Sequence, residues 1–325
     1  MLWFENNEII PCFNNHWYNS IFIIKFNIKI ENPLILRHIL IMSKVKIGTA
    51  GWSYADWKNI VYAKNEHDTL SFIMNYLDCV EINTTFYNIP PVNYCKNWEQ
   101  KRKDKDFEFI VKANRVFTHE KDFDKKSVTS FIEAIFPLGK PLLLFQFPFY
   151  FVYSDKTYYH LEKIADNFKD FNKILEVRSA SFDNPGVIEK IHALDFTFCL
   201  PDYPESKKSF VNKTITNNNI GYLRLHGRNY ETWFKKNNEL KPYEKYNYLY
   251  SRDEENEIAE TIKLLLKNVS VMYIIANNHY RGKAFVNSLF LKSKFIESCV
   301  ETPELLLENY PELEEISCNR KDTLF

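Results

Sequence analysis

Two carboxylates, three cations and an imidazole stand at or near the ends of short apolar runs: Glu81, Glu176, Lys112, Arg178, Arg224 and His226. Either glutamate suits a general base. His226 suits a general acid or proton shuttle, because imidazole titrates close to neutral pH. Lys112, Arg178, Arg224 and Arg228 suit an anion, the arginines through forked contacts to phosphate or carboxylate. Trp52, Tyr54, Tyr87 and Trp233 offer flat apolar walls that stack on a sugar or a base. Asn83, His119, Gln146, Asp202 and Asn277 complete the polar set. These residue types describe a site for an anionic or sugar-phosphate-like substrate worked by general acid/base hydrolysis.

Residues spread from 52 to 277 meet only if the elements carrying them converge. In Gly221 to Arg228, side-chain alternation puts Tyr222, Arg224 and His226 on one face and Leu223 and Leu225 on the other. If that face points inward, Arg224 needs an anionic partner, since an unpaired buried charge costs several kcal/mol. Glu81 with Asn83, and Glu176 with Arg178, share faces in the same way. Runs predicted as strands are Val45 to Thr49, Cys79 to Ile82, Phe107 to Lys112, Leu142 to Gln146, Lys173 to Val177, Phe196 to Leu200, Ile220 to Leu225 and Val271 to Ala276. Amphipathic stretches between them predict helices at Thr69 to Leu77, Ser127 to Phe136, His160 to Phe168, Pro185 to Leu194 and Asp253 to Lys267. Ser251 and Glu254 make a capping box ahead of the last.

Eight β/α repeats in roughly 260 residues fit a single-domain α/β fold, the (β/α)8 TIM barrel, whose usual size is ~250 residues. A doubly wound open sheet is the competing architecture. The barrel is favoured because no glycine-rich phosphate loop follows the first strand, and because polar residues gather at the far ends of the strands. Glycine is scarce, seven in 325 residues, yet Gly48, Gly51, Gly227 and Gly282 all fall beside these polar ends. Such positions mark sharp turns or close backbone approach.

Lysine plus arginine equals aspartate plus glutamate at 42 each, so no strongly basic surface is available for nucleic acid, although a local patch remains open. The six cysteines are dispersed without a CxxC pair, which predicts neither a disulfide scaffold nor a structural zinc and points to a reducing, cytoplasmic setting. Residues 1–42 read as an N-terminal extension outside the folded chain, with Met42 as the native start; they contain no apolar block long enough to span a membrane. Residues 43–300 form the barrel domain and 301–325 an acidic helical tail outside it. Asn229 to Arg252, rich in tyrosine, is long for a β-to-α connection and reads as a lid over the active face.

In order along the chain, Ile47-Gly48-Thr49-Ala50-Gly51-Trp52-Ser53-Tyr54 with Trp57, Val80-Glu81-Ile82-Asn83-Thr84-Thr85-Phe86-Tyr87, Lys112 with Thr118-His119, Gln146-Phe147-Pro148, Glu176-Val177-Arg178, Leu223-Arg224-Leu225-His226-Gly227-Arg228, and Asn277-Asn278 with Asn287 resemble the domain of unknown function 72 family, also called YecE-like. The resemblance spans roughly Val45 to Leu291 and implies a TIM barrel. It implies no activity. Departures are Ala50 where serine is expected, Phe147 where an aliphatic residue is usual, and Phe182 where tryptophan is usual.

Other chemistries use the same ring. Glu81 and Glu176 fall on nearly opposite strands, which disfavours a retaining glycosidase, whose carboxyls sit ~5 Å apart, and leaves an inverting one at roughly 6.5 to 9.5 Å. Glu81, Glu176, Asp202, His226 and His279 could instead hold a divalent metal for a phosphodiesterase resembling the endonuclease IV barrels, although the sequence assigns no metal ligand and no cofactor firmly. A non-catalytic module binding a nucleotide or single-stranded nucleic acid would stack bases on Trp52 or Tyr87. The favoured partner is a small anionic or phosphorylated ligand, with no membrane.

Overall fold

The computed structural model describes residues 44–318 apart from 121, 212–215, 234, 236–240 and 242. The expected N-terminal extension lies outside the described residues. Eight parallel strands close in sequence order, β1 (Lys44–Ala50), β2 (Cys79–Ile82), β3 (Glu108–Lys112), β4 (Leu142–Gln146), β5 (Lys173–Glu176), β6 (Phe196–Asp202), β7 (Ile220–Leu225) and β8 (Val271–Ala276). β1 pairs with both β2 and β8, Ala50 lying beside Glu81 and Ile47 beside Ile274. The fold is a (β/α)8 TIM barrel, and the open-sheet alternative is excluded because the sheet has no edge.

Two-residue periodicity sorts the side chains. Ala50, Cys79, Ile110, Leu142, Leu144, Ile174, Cys199, Tyr222, Tyr273 and Ile275 pack together inside the barrel. Their neighbours one step along, such as Val80, Val111, Leu143, Phe145 and Leu175, pack outward against the helices. Continuing the inward parity brings Glu81, Lys112, Gln146, Glu176 and Arg224 to the C-terminal mouth, where β/α barrels carry their ligand sites. Gly48 belongs to the same inward series. A Cβ there would sit 2.0 Å from the Cys79 carbonyl oxygen, so β1 and β2 approach only because the side chain is missing.

The helix Arg252–Leu265 begins on the expected capping box: Ser251 Oγ accepts from the Glu254 amide while Glu254 Oε2 accepts from Ser251 N at 2.8 Å. Lys283–Ser293 was not foreseen, for a physical reason. Every residue from Ala284 to Leu291 is buried, so it shows no polar face and no amphipathic period. Among the described residues no helix is long and apolar enough to cross a membrane.

The C-terminal segment corrects the reading of the cysteines. Val300 and Ser317 form a parallel β-bridge that aligns two backbone stretches, and their neighbours Cys299 and Cys318, with Cα atoms 4.9 Å apart, are disulfide-bonded. Spacing alone could not show that pairing. Cys79, Cys95 and Cys199 are free and buried. The helix Glu304–Asn309 and the turn after it lay Leu306 and Leu313 into the core as a close-packed cover of the barrel.

Gly48→Ala is expected to cost at least about 2 kcal/mol in urea unfolding, because backbone rather than a flexible side chain must yield. Ser251→Ala, which removes only a cap, should cost about 1 kcal/mol. A smaller effect for Gly48→Ala than for Ser251→Ala would contradict the close β1–β2 approach.

Candidate functional site

Arg224 is the centre of the mouth. Its Nε donates to Glu81 Oε2 at 2.9 Å and its Nη2 to Glu81 Oε1 at 2.7 Å, a forked pair, while Nη1 donates to Glu176 Oε2 at 2.5 Å. Tyr222, two residues earlier on the same face of β7, donates its hydroxyl to Glu81 Oε2 at 2.9 Å. Glu176 Oε1 receives His226 Nε2 at 3.3 Å and Arg178 Nη2 at 3.2 Å. Glu81, Glu176, Arg224 and His226 are all buried, at most 1% exposed. This inward orientation of β7 is the one in which Arg224 requires an anion, and it obtains two.

The electrostatics follow from that packing. Burial pushes Glu176 up, but Arg224, then His226 and Arg178, outweigh it and hold the carboxylate well below its usual range. Burial dominates at His226 and pushes it down to about 4, against the pull of Glu176. The neutral ring accepts from Asn277 Nδ2 at Nδ1, 3.0 Å away, which leaves Nε2 to carry the proton that faces Glu176. Lys112 is pushed down to about 8, first by burial and then by Arg224, with the two glutamates opposing.

Above this network opens a cavity of about 380 Å³ lined by Trp52, Tyr54, Asn83, Tyr87, Lys112, Gln146, Arg178, Arg224, His226 and Asn277, all foreseen in the sequence. His279 and Tyr246 join them. Tyr246 lies in the tyrosine-rich segment read as a lid and stacks on His279, whose other face stacks on Tyr54 with ring centres 4.3 Å apart. Periodicity could not have found Tyr246, since it sits in irregular chain. A second, outer cavity of about 780 Å³ shares Tyr87, Lys112, Gln146, Arg178 and Tyr246 with the first and adds Phe86, Phe149, Tyr203, Trp233, Lys208, Lys245 and His119. Among the described residues, no aspartate or glutamate lines either chamber.

Three expectations need correction. Glu81 and Glu176 converge on the site but lie beneath the cavity, not on its wall, and one guanidinium fills the space between them. A glycosidase needs a sugar there, so neither glycosidase geometry fits this pair. Asp202 is one step out of phase with the inward residues of β6, on the parity of Leu200, and so faces away from the mouth. Arg228 shares the parity of Arg224, but Gly227 (φ 89°) redirects the chain and delivers Arg228 to Asp202 in a forked pair at 2.6 to 3.1 Å. Tyr250 closes that pair by donating to Asp202 at 2.7 Å. His119 lines only the outer chamber.

The metal-ligand set does not assemble. Among the described residues no cluster of three or more histidine, cysteine or acidic side chains is placed to hold an ion. Arg224 occupies the position between the glutamates that a cation would need, and Asp202 is committed to Arg228.

Three cavity residues retain unspent hydrogen-bonding capacity: Asn83 Oδ1, Arg178 Nε and His279 Nδ1 are buried without a partner. Buried polar atoms left unpaired cost about 1 to 3 kcal/mol each. Three of the five such atoms among the described residues belong to side chains that line this cavity.

Fold and site together define a (β/α)8 barrel with a cation-rich cavity at its C-terminal mouth. A family model described as protein of unknown function DUF72 matches residues 46–306, and the chain belongs to that family. A DUF72 family protein from Thermotoga maritima is 31% identical, with a TM-score of 0.67, over 76% of this chain and 97% of that one. Another from Enterococcus faecalis is 23% identical, with a TM-score of 0.69, over 78% and 95%. Comparison with curated proteins finds no match.

Two stability outcomes follow. Arg224→Met leaves two buried carboxylates without their common partner and should destabilise the fold by about 3 to 5 kcal/mol. His226 has a folded pKa below its unfolded value near 6.5, so the unfolded chain takes up more protons as pH falls, and stability present above pH 6.5 drains away toward about pH 4. His226→Gln should flatten the fall of Tm across that window more than His192→Gln, a half-buried histidine outside the site. Equal slopes in the two variants would contradict the assignment.

Proposed function

We propose that the inner cavity is the active site of an enzyme for a small anionic, polyhydroxylated substrate of the sugar-phosphate type. The observation that carries this is the charge balance of the mouth. Two buried carboxylates are matched by Arg224 and Arg178, and Lys112 stands as a further cation on a wall that bears no acid among the described residues. An anion completes that set, and a carboxylate or phosphate would meet the Arg178 guanidinium and the Lys112 ammonium on the same wall. The Asn83 amide and the His279 ring, also on the wall, suit the hydroxyls of the same molecule, while Trp52, Tyr54 and Tyr87 cover its apolar faces.

Acid/base roles shift from the sequence reading. Glu176 accepts from Arg224, Arg178, His226 and the Cys199 thiol and stays ionised, and Glu81 is spent on Arg224 and Tyr222, so both act as positioning residues. His226 has both ring nitrogens engaged. Lys112, pushed down to about 8, is the group on the cavity wall whose proton exchange falls near working pH, while burial pushes His279 down. Hydrolysis is one outcome of such chemistry and carbonyl or proton-shift reactions are others.

Calorimetry with a sugar sulfate, whose charge does not vary between pH 6 and 10, tests this reading. Lys112 titrates near 8, below its ordinary value, so its charge is present below pH 8 and lost above it. Affinity should fall by about tenfold from pH 7 to 9.5, the worth of one charge-assisted hydrogen bond. Lys112→Arg should abolish that fall, and Arg178→Ala should weaken binding at every pH. Absence of millimolar binding by sugar sulfates and sugar phosphates alike would overturn the proposal.

A further inference from the structure

Lys112 stands out among the groups that the buried network does not consume. It ends β3 on the inward face, and its Nζ lies 4.4 Å from the centre of the Phe86 ring. What accessible surface it has is cavity surface, shared by both chambers. Its ammonium makes no hydrogen bond or ion pair among the described residues. The two carboxylates that could have held its proton are both bound to Arg224. Arg178 lines the same wall.

We propose that Lys112 is a carbonyl-capturing nucleophile, forming an imine with a small phosphorylated aldehyde or ketone held in the inner cavity. The inference rests on the anionic-substrate reading above and adds the reaction class. An amine removed from water, near guanidinium groups and with the nearby carboxylates bonded to Arg224 rather than to it, is easier to keep neutral than a solvated one, and the neutral amine is the nucleophile. The lowered pKa of Lys112, about 8, agrees with that placement. The Phe86 face works in the opposite direction by favouring the cation, but such contacts are worth only about 0.5 to 2 kcal/mol.

The chemistry balances without an oxidant or reductant. The Nζ lone pair adds to the carbonyl carbon, the carbonyl π pair moves to oxygen, and that oxygen takes up a proton. Loss of one water then breaks the carbon–oxygen bond and leaves a protonated imine. The imine draws electrons from the adjacent carbon, which loosens a proton or a carbon–carbon bond there, and addition of water reverses the linkage. Arg178 lines the cavity with Lys112 and supplies a guanidinium for the phosphate, and Asn83 on the same wall supplies a side-chain amide for a substrate hydroxyl.

Borohydride trapping tests the assignment directly. Full-length protein incubated with glycolaldehyde phosphate or dihydroxyacetone phosphate, then reduced, should gain one secondary-amine adduct per chain on the peptide containing Lys112. Labelling there should exceed that at Lys208 or Lys245 by at least tenfold. It should rise with pH through an inflection near 8 and be suppressed by inorganic phosphate. Lys112→Arg should retain the wild-type circular dichroism spectrum and lose the adduct. Because the pH inflection is read on the wild-type chain, the test stands even if that variant folds poorly. Labelling spread over surface lysines, with sugar sulfates still binding, would overturn the nucleophile and leave the anion site. Absence of both adduct and anion binding would overturn the two together.

Discussion

One guanidinium governs this barrel's active end. Arg224 is fully enclosed, and a lone cation so placed would cost several kcal/mol. It is tolerated because strands β2 and β5 each present a carboxylate, and because Tyr222 and His226, on the same face of β7, occupy acceptor positions the guanidinium leaves over. The arrangement is self-consistent in the way buried networks must be: every member of the trio is satisfied, and removing any one strands the others. The donors hold the Glu176 pKa well below its usual range and occupy its oxygens, so it is too weak a base to take a proton from a guest. It lends its charge to position Arg178 and His226.

The mouth therefore divides into two layers. Below lies a rigid ionic platform that presents little directly to a guest. Above it lie groups with capacity to spare: Lys112, Arg178, Asn83 and His279, between aromatic walls. The division follows from parity and from one turn. Side chains that keep the inward phase of their strands reach the cavity or its foundation. Asp202 loses that phase by a single residue, and Gly227 breaks it for Arg228, so an apparent pair of active-site charges becomes a brace between the barrel and the helix Arg252–Leu265. Asn287 serves the same support: it bonds Glu255, Asn278 and the backbone of Tyr250, fixing the loop from which Asn277 reaches His226.

Much of this was legible in the chain itself. All eight strands were, because alternation around short β-branched runs is a local signal, and the capping box at Ser251 is equally local. The cavity wall was also largely readable, since each residue could be placed at a strand end independently of the others. What was not readable was depth. Sequence puts Glu81 and Lys112 at equivalent ends of neighbouring strands. Only the packed barrel shows that the first is buried under Arg224 while the second faces open space. The helix Lys283–Ser293, Tyr246 and the Cys299–Cys318 bridge escaped for related reasons: total burial erases amphipathicity, irregular chain has no period, and a disulfide depends on which backbones lie side by side.

The Arg224 network also bears on how the molecule is made. Glu81 precedes Arg224 by 143 residues and Glu176 precedes it by 48. At ~5 to 20 residues per second of synthesis, the first acid waits about 7 to 29 s for its counter-ion. Until β7 emerges, an N-terminal partial barrel holds two acids that it cannot enclose in ionised form. The nascent chain therefore reaches its counter-ion only at β7, and the cylinder closes only after β8 has followed to pair with both β7 and β1.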